Sequence, residues 1–255
     1  MMKSIFPAGA VAAALLVAGC GGSGAGSAGA NSSDSATGGA TVAAVPAPDG
    51  GDWTQSVSQT ADGGFVMGNP GARVKIVEYA SMTCPHCADF SENGLPALTE
   101  KYIRTGQASL ELRNFVRDPA DLAASLLARC SGPAAYFKLT DQLFADQEQW
   151  IGKLQTMSPA DQQRLQTLPP QQAVGAMADQ AGLIDFVRLR GIPEAKARQC
   201  LGNQAELKRL VGMTQKATSD HPNFPGTPTF IVNGELAENT GTFAALEPKI
   251  QEALQ

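Results

Sequence analysis

The sequence has few of the groups that build metal or nucleic-acid sites. It holds two histidines, His86 and His221, and five cysteines in 255 residues. Its one Cys-x-x-Cys pair has neither a second such pair nor a histidine pair to complete a zinc site. Nineteen Lys and Arg against 24 Asp and Glu give a formal net charge of -5, which argues against a nucleic-acid partner. We therefore expect no metal, no cofactor and no nucleic acid.

Long apolar runs are missing after the N-terminus. Residues 5–17 are mostly apolar, but about 13 residues are too short for a stable transmembrane helix and fit the apolar part of a signal peptide. This stretch ends in Leu16-Val17-Ala18-Gly19-Cys20, small residues before a cysteine that resemble a bacterial lipobox. The resemblance implies a signal peptide over residues 1–19 and lipidation of Cys20. The alternative is an ordinary signal peptide with a chance cysteine.

Large side chains are scarce from residue 20 to residue 51, where Gly, Ser, Ala, Thr and Pro dominate. Such a segment cannot bury enough apolar surface to offset its ordering entropy, so we predict a flexible tether. With lipid on Cys20, the tether would hold the folded part away from a membrane. Gly21 stands where an Asp signals inner-membrane retention in enteric bacteria, which favours the outer membrane. Export predicts an oxidising compartment, the bacterial periplasm.

The remaining chain alternates strand-like and helix-like patterns. Turn signals and apolar runs predict strands over residues 53–60, 64–67, 73–79, 108–116, 229–232 and 235–239. A helix should follow the third strand and kink at Pro96. Residues 118–219 are helical throughout, and a last helix covers 242–254. The fold class is α/β, resembling a thioredoxin-like domain of residues 52–117 and 220–255 with an inserted all-helical domain over 118–219.

The motif Cys84-Pro85-His86-Cys87 lies between a predicted strand and a predicted helix. Two sulfurs three positions apart can close a small disulfide, and the first lies at a helix N-terminus, where free N–H groups favour a thiolate. A protonated His86 would add positive charge. We predict thiol–disulfide exchange, with Cys84 as the accessible nucleophile and Cys87 as the buried resolving thiol. An inert structural disulfide and half of a zinc site are the alternatives.

Glu78 lies on the strand that leads to Cys84. Its period-two companions Val74 and Ile76 are apolar, so its side chain should point toward a core face. A half-buried carboxyl near a disulfide should have a raised pKa and could exchange a proton with Cys87. Alternatively, the strand end frays and Glu78 reaches water.

The Cys84–Cys87 motif, Glu78 six residues upstream and Thr227-Pro228 before the last strand pair together resemble the DsbA family of envelope thiol:disulfide oxidoreductases. The resemblance implies that Pro228 is cis and faces the active disulfide, and that Thr227, Pro228 and Pro85 contact substrate. It gives Glu78 a role in proton transfer. The chain would pass its disulfide to exported proteins through a mixed disulfide at Cys84, and a membrane redox partner would reoxidise it.

Two positions depart from the enterobacterial members of that family. Thr227 replaces a Val, and Leu110 stands where those members have a Lys beside the buried acid. Thr also occurs in isomerases and reductases, so a reductase or isomerase is the second hypothesis. No extra dimerisation segment is evident, which counts against a DsbC-like isomerase and favours a monomer. The third hypothesis, a metal- or partner-binding lipoprotein, lacks Met or His clusters near Cys84.

Cys130 and Cys200 remain, both in the predicted helical domain. Exclusion favours a bridge between them, if Cys20 is lipidated and Cys84 pairs with Cys87. Such a second disulfide resembles some alphaproteobacterial DsbA-like proteins. Closing a loop of about 70 residues would stabilise the fold by roughly 4 kcal/mol. The alternative is a pair of free buried thiols.

Overall fold

A computed structural model gives the fold of this chain and describes residues 43–255. The predicted signal peptide and the predicted lipidation of Cys20 lie outside the described residues. Within residues 43–255, no helix combines the length and the apolar character needed to cross a bilayer.

Six strands form one mixed sheet in the order β1-β2-β4-β3-β5-β6. Their bounds are β1 (Val57–Gln59), β2 (Phe65–Gly68), β3 (Val74–Ala80), β4 (Ala108–Asn114), β5 (Thr229–Val232) and β6 (Glu235–Ala237). Strands β3 and β4 are parallel, and all other neighbours are antiparallel. The sheet contains all of the predicted strands, with ends that differ by a few residues.

Alternation along β3 explains how the two faces of the sheet are covered. Val74 and Ile76 are 0% and 1% exposed and point into the main core. Tyr79, on the opposite face, packs with Ile231 of β5 and with Ala217 of the helix that covers that face. Because side chains alternate along a strand, Glu78 shares the face of Val74 and Ile76.

The first predicted strand was too long. Trp53 lies in a 3₁₀ turn (Trp53–Gln55) that Asp52 caps by accepting a hydrogen bond from the Thr54 N–H, and strand structure begins only at Val57. The buried Trp53 indole donates a 2.7 Å hydrogen bond to the Val45 carbonyl. A side chain of this size favours docking over an extended edge strand.

The docked chain begins before residue 52, within the segment predicted as tether. The Val45 N–H donates to the Thr105 carbonyl at 2.8 Å, next to the Trp53 contact. Gly106 has a φ of 73°, and a Cβ there would lie 2.5 Å from the Val45 carbonyl oxygen. A glycine is therefore required for this close approach, and residues from Val45 onward contact the folded domain.

The helix after β3 is irregular. It consists of α1 (Pro85–Asp89), a π turn (Phe90–Gly94), α2 (Leu95–Leu98) and a second π turn (Thr99–Ile103). Pro96 lies at the start of α2 and has no N–H for a helical hydrogen bond. The kink at Pro96 stays a prediction, and the observed interruption of the helix consists of wide turns on both sides of α2.

Between β4 and β5 the described chain forms helices only. They are α3 (Pro119–Ala128), α4 (Pro133–Ala145), α5 (Gln147–Gln155), α6 (Pro159–Thr167), α7 (Pro170–Gln180), α8 (Leu183–Arg188), α9 (Glu194–Leu201) and α10 (Gln204–Asp220). The last helix, α11 (Phe243–Leu254), packs on α2 and on the central strands. The limits of the helical block agree with the predicted 118–219 to within one residue.

A buried polar cluster attaches this block to the sheet, and a disulfide crosslinks two parts of the block itself. The Arg129 guanidinium donates to the Asn114 carboxamide at 3.0 Å and to the Gly63 carbonyl, and the Tyr136 hydroxyl donates to the same Asn114 oxygen. Cys130 and Cys200 form a disulfide, with their Cα atoms 5.6 Å apart. The bridge joins the end of α3 to α9.

Candidate active site

The Cys84 residue caps the N-terminus of α1. Its extended backbone (φ −89°, ψ 120°) turns the chain from β3 into the helix, and Pro85 occupies the first helical position, where no N–H is needed. The N–H groups of His86 and Cys87 face the Cys84 sulfur. The predicted strand–turn–helix arrangement of the motif is therefore present.

The two thiols have opposite acidities. A hydrogen bond from the Cys87 thiol lowers the pKa of Cys84 to about 5, although burial opposes the shift. The Thr227 side chain and the N–H groups of Cys87 and His86 lower it further. Burial raises the pKa of Cys87, which is 0% exposed, far above its usual range. A thiolate in this reduced pair therefore resides on Cys84.

Cys84 is not an accessible thiol, contrary to the prediction. It is 3% exposed, because the Thr227 carbonyl oxygen lies 3.1 Å from its sulfur. Thr227 and Pro228 are joined by a cis peptide bond, and antiparallel pairing of β5 with β3 brings them to the motif. Pro85 and His86 are exposed beside the covered sulfur.

Glu78 is buried, with 3% of its surface exposed, and does not fray into water. It pairs with Leu112 on β4 and with Phe230 on β5. Burial raises the pKa of Glu78 to about 8, and the negative charges of Asp141 and Cys84 add to the effect. The carboxyl is thus protonated at neutral pH.

Leu110 is fully buried opposite Ile76 on the neighbouring strand. None of the described groups that shift the pKa of Glu78 is a cation. The acid therefore lies in apolar surroundings rather than in an ion pair.

Asp141 on α4 is a further acid that the sequence did not reveal. Its carboxylate accepts a 3.2 Å hydrogen bond from the Ser91 hydroxyl, and burial raises its pKa to about 6. Both side chains line a cavity of about 580 Å³ that Leu95 and Phe137 also border. Its effect on Glu78 arises from packing of α4 against the π turn after α1, which no local pattern predicts.

Two side chains of the helical block contact the segment that precedes the motif. Asp121 on α3 accepts hydrogen bonds from the Ser81 hydroxyl at 2.6 Å and the Met82 N–H at 2.9 Å. Gln147 on α5 donates to the Met82 and Cys84 carbonyls. Sequence reasoning missed both residues, because neither belongs to a motif and each lies at least 37 positions from Cys84.

Residues 43–255 contain no group of three or more His, Cys, Asp or Glu side chains placed to hold a metal ion.

The sequence and the fold of this chain are similar to those of known proteins. A family model described as Thioredoxin matches residues 60–252. Among solved structures, a protein-disulfide isomerase from Novosphingobium aromaticivorans is 34% identical with a TM-score of 0.71, and the match covers 74% of this chain and 96% of that one. Wolbachia pipientis alpha-DsbA1 has the same fold, with 21% identity, a TM-score of 0.61, and 77% and 93% of the two chains covered. The thioredoxin-like α/β fold predicted from the sequence is confirmed.

Two proteins from Rickettsia are also similar to this chain in sequence. Proteins named as protein-disulfide oxidoreductases in Rickettsia bellii and Rickettsia prowazekii are each 32% identical, over 74% and 70% of this chain. The matches span 65% and 57% of those relatives' own lengths. The chain belongs to the thioredoxin family that this model describes, and it is similar to proteins named as protein-disulfide oxidoreductases and to a protein-disulfide isomerase.

Proposed function

We propose that this protein is an envelope thiol:disulfide oxidoreductase that donates a Cys84–Cys87 disulfide to exported proteins. The observation that carries the proposal is the contrast between the two thiols, a pKa of about 5 at Cys84 and a strongly raised pKa at Cys87. Stabilising the Cys84 thiolate stabilises the reduced pair. The disulfide is therefore a stronger oxidant than it would be with an ordinary thiol pKa at Cys84.

The first step is attack of a substrate thiolate on the Cys84 sulfur. The substrate–Cys84 bond forms while the Cys84–Cys87 bond breaks, and Cys87 leaves as a thiolate. Because burial disfavours this anion, it takes up a proton, and the protonated Glu78 carboxyl is the proposed donor.

In the second step, another substrate thiolate attacks the substrate sulfur of the mixed disulfide. Cys84 leaves, which its low pKa favours, and the substrate gains a disulfide. Two electrons pass from the substrate thiols to the cysteine pair. A membrane redox partner would accept them and restore the disulfide.

Substrate would bind beside the cis-proline turn. The Thr227 carbonyl faces the Cys84 sulfur, so a substrate strand that pairs with the Thr227 backbone would bring its own sulfur to Cys84. Pro228, Pro85 and His86 are the proposed further contacts with substrate, and Pro85 and His86 are exposed beside the sulfur.

The proposed location is the periplasm, with a lipid on Cys20 and the outer membrane favoured over the inner one. This part rests on the sequence of residues 1–51 alone. Labelling with radioactive palmitate, followed by membrane fractionation, tests it. Cys20→Ala should lose the label and move to the soluble fraction, and labelling that survives Cys20→Ala would exclude this anchor.

An isomerase or reductase is the second candidate. It is favoured by the name of the Novosphingobium relative, a protein-disulfide isomerase, and by Thr227 before the proline. An isomerase needs its pair reduced, whereas a disulfide donor needs it oxidised. The same site chemistry serves both, so the redox equilibrium separates them.

The deciding experiment offers the protein two substrates in glutathione buffer, one a reduced unfolded protein and the other the same protein with scrambled disulfides. A donor oxidises the first stoichiometrically and has a more oxidising potential than glutathione. Cys84→Ser should abolish transfer, and Cys87→Ser should trap the mixed disulfide. Activity on the scrambled protein alone, with a reducing potential, would replace the donor assignment by the isomerase.

A further inference from the structure

We propose that Gln147, in the helical block, is a positioning residue that fixes the Cys84 backbone and thereby sets the reactivity of the Cys84 sulfur. The inference rests on the proposed function in one respect, because it takes Cys84 as the attacking and leaving thiol. It adds a residue outside the thioredoxin-like part of the chain to the site.

The contacts of Gln147 require a double donor. Its Nε2 atom lies 2.9 Å from the Met82 carbonyl oxygen and 3.0 Å from the Cys84 carbonyl oxygen. Both partners are acceptors, and a carboxamide nitrogen carries two hydrogens, so one group satisfies both. A glutamate of the same shape, when ionised, has no hydrogen to offer.

The segment before the motif is held from two sides. Asp121 binds the Met82 N–H and the Ser81 hydroxyl, while Gln147 binds the Met82 carbonyl. Met82 is itself 0% exposed. Among the described residues, we find no second donor to the Met82 carbonyl. Without Gln147, a buried carbonyl would be left unpaired and the segment would shift toward another donor.

Gln147 is in turn fixed by the scaffold. It is 4% exposed and begins α5, which Trp150 anchors through a 2.9 Å hydrogen bond from its indole N–H to the Leu143 carbonyl of α4. The preceding residue, Asp146, forms an ion pair with Arg190. A side chain held this firmly can define the position of what it binds.

Fixing the Cys84 carbonyl also fixes the first turn of α1. The same oxygen accepts the Cys87 N–H at 3.1 Å and the Ala88 N–H at 3.2 Å. The orientation of this turn decides where the N–H groups of His86 and Cys87 point, and they point at the Cys84 sulfur. Gln147 therefore acts on the thiolate through the backbone, without contacting the sulfur.

The test compares Gln147→Met and Gln147→Glu with Gln149→Met and Gln149→Glu. Methionine is unbranched and of similar length, so it keeps the packing and removes the donors. Gln149 is exposed on the same helix, and its side-chain amide makes one long hydrogen bond of 3.4 Å to the Asp146 carboxylate. The readouts are the thiolate absorbance titration of the reduced protein and its equilibrium with glutathione.

Both Gln147 variants should raise the pKa of Cys84. They should also shift the glutathione equilibrium about tenfold toward the disulfide, which corresponds to about 30 mV. In the Gln149 variants, the pKa of Cys84 and the glutathione equilibrium should match those of the wild type. If Gln147→Met lowers thermal stability but leaves the titration and the equilibrium unchanged, Gln147 is merely structural and the proposal is wrong.

A measurement on the unmodified protein covers the case in which the variants do not fold. The side-chain amide protons of Gln147 should exchange with solvent far more slowly than those of Gln149 in the same NMR spectrum. Equal exchange rates would show that the two hydrogen bonds do not persist in solution, which overturns the proposal.

Cys84→Ser separates this inference from the proposed function. If the low-pH thiolate transition survives in Cys84→Ser, the proposed assignment of the reactive thiol fails, whatever Gln147 does. If the transition belongs to Cys84 and the Gln147 variants leave it in place, only the role of Gln147 fails.

Discussion

The sulfur of Cys84 lies 3.1 Å from the carbonyl oxygen of Thr227, although 143 positions separate the two residues. Antiparallel pairing of β5 with β3 creates this contact. In the sequence, the helical block lies between these two strands. The sulfur thus lies between a helix N-terminus, which favours the thiolate, and a backbone acceptor that a substrate strand would also meet. Under the proposed function, the reactivity of Cys84 and the positioning of substrate would depend on the same few atoms.

The first prediction concerns the hydrogen bond between the two thiols. Because the Cys87 thiol is the main group that lowers the pKa of Cys84, Cys87→Ala should raise that pKa by about one to two pH units. Cys87→Ser keeps a hydroxyl donor, so the pKa of Cys84 in this variant should stay closer to its value in the wild type. Thiolate absorbance of the reduced proteins between pH 3 and 9 measures both. An unchanged titration in Cys87→Ala would exclude the Cys87 thiol as the main cause and leave the Thr227 side chain and the helix-terminal N–H groups.

The local part of the site could be predicted from the sequence. A strand, a Cys-x-x-Cys turn and a helix are specified by short-range patterns, and alternation along β3 was enough to point Glu78 inward. The remainder depends on contacts between distant segments. Asp121, Asp141 and Gln147 have no distinctive local pattern, and they reach the site only because α3, α4 and α5 pack beside it.

Two errors have the same physical origin. Cys84 was expected to be accessible because it precedes a helix, yet the Thr227 carbonyl covers it from another part of the chain. The apolar run places Trp53 in a strand, but Trp53 lies in a 3₁₀ turn and its indole donates a hydrogen bond to the Val45 carbonyl. Tertiary contacts override local preference at both positions.

The second prediction concerns the pH dependence of stability. The pKa of Glu78 is about 8 in the fold and 4.5 in the reference state. Its contribution to the free energy of unfolding is complete well below pH 4.5, declines as the pH rises from 4.5 toward 8, and is gone above about pH 8. Between pH 5 and 9 the wild type should therefore lose about 4 kcal/mol relative to Glu78→Gln.

Urea denaturation of both reduced proteins at pH 5, 7 and 9 provides the measurement. Groups common to the two chains cancel in the difference, so the comparison isolates Glu78. Parallel stability curves across this range would mean that the carboxyl is ionised or solvated in the fold.

The third prediction concerns the disulfide between Cys130 and Cys200. It closes a loop of 70 residues, so Cys130→Ala combined with Cys200→Ala should reduce the free energy of unfolding by up to about 4 kcal/mol. Neither residue contacts the motif, so oxidation of a dithiol substrate should continue at a similar rate. Differential scanning calorimetry measures the loss of stability, and a substrate assay measures the rate of dithiol oxidation. A large loss of oxidation rate in a folded double variant would contradict a purely structural bridge.

The last prediction concerns Asp141 and Glu78. The charge of Asp141 helps to raise the pKa of Glu78, although burial contributes more. Asp141→Asn removes the charge and keeps a polar group near the Ser91 hydroxyl, so the pKa of Glu78 should fall, by less than about one pH unit. Carboxyl carbon NMR of the labelled protein measures it directly. Glu92→Gln is the matched control, since Glu92 lines the same cavity but is exposed.

The kinetic consequence follows from the protonation state. If Glu78 donates the proton that Cys87 takes up, disulfide transfer should slow as Glu78 ionises, and the alkaline limb of the rate profile should move to lower pH in Asp141→Asn. The profile of Glu92→Gln should not move. A fall in the pKa of Glu78 without any movement of the rate profile would remove Glu78 from the proton path and leave it as a buried acid with no part in the exchange.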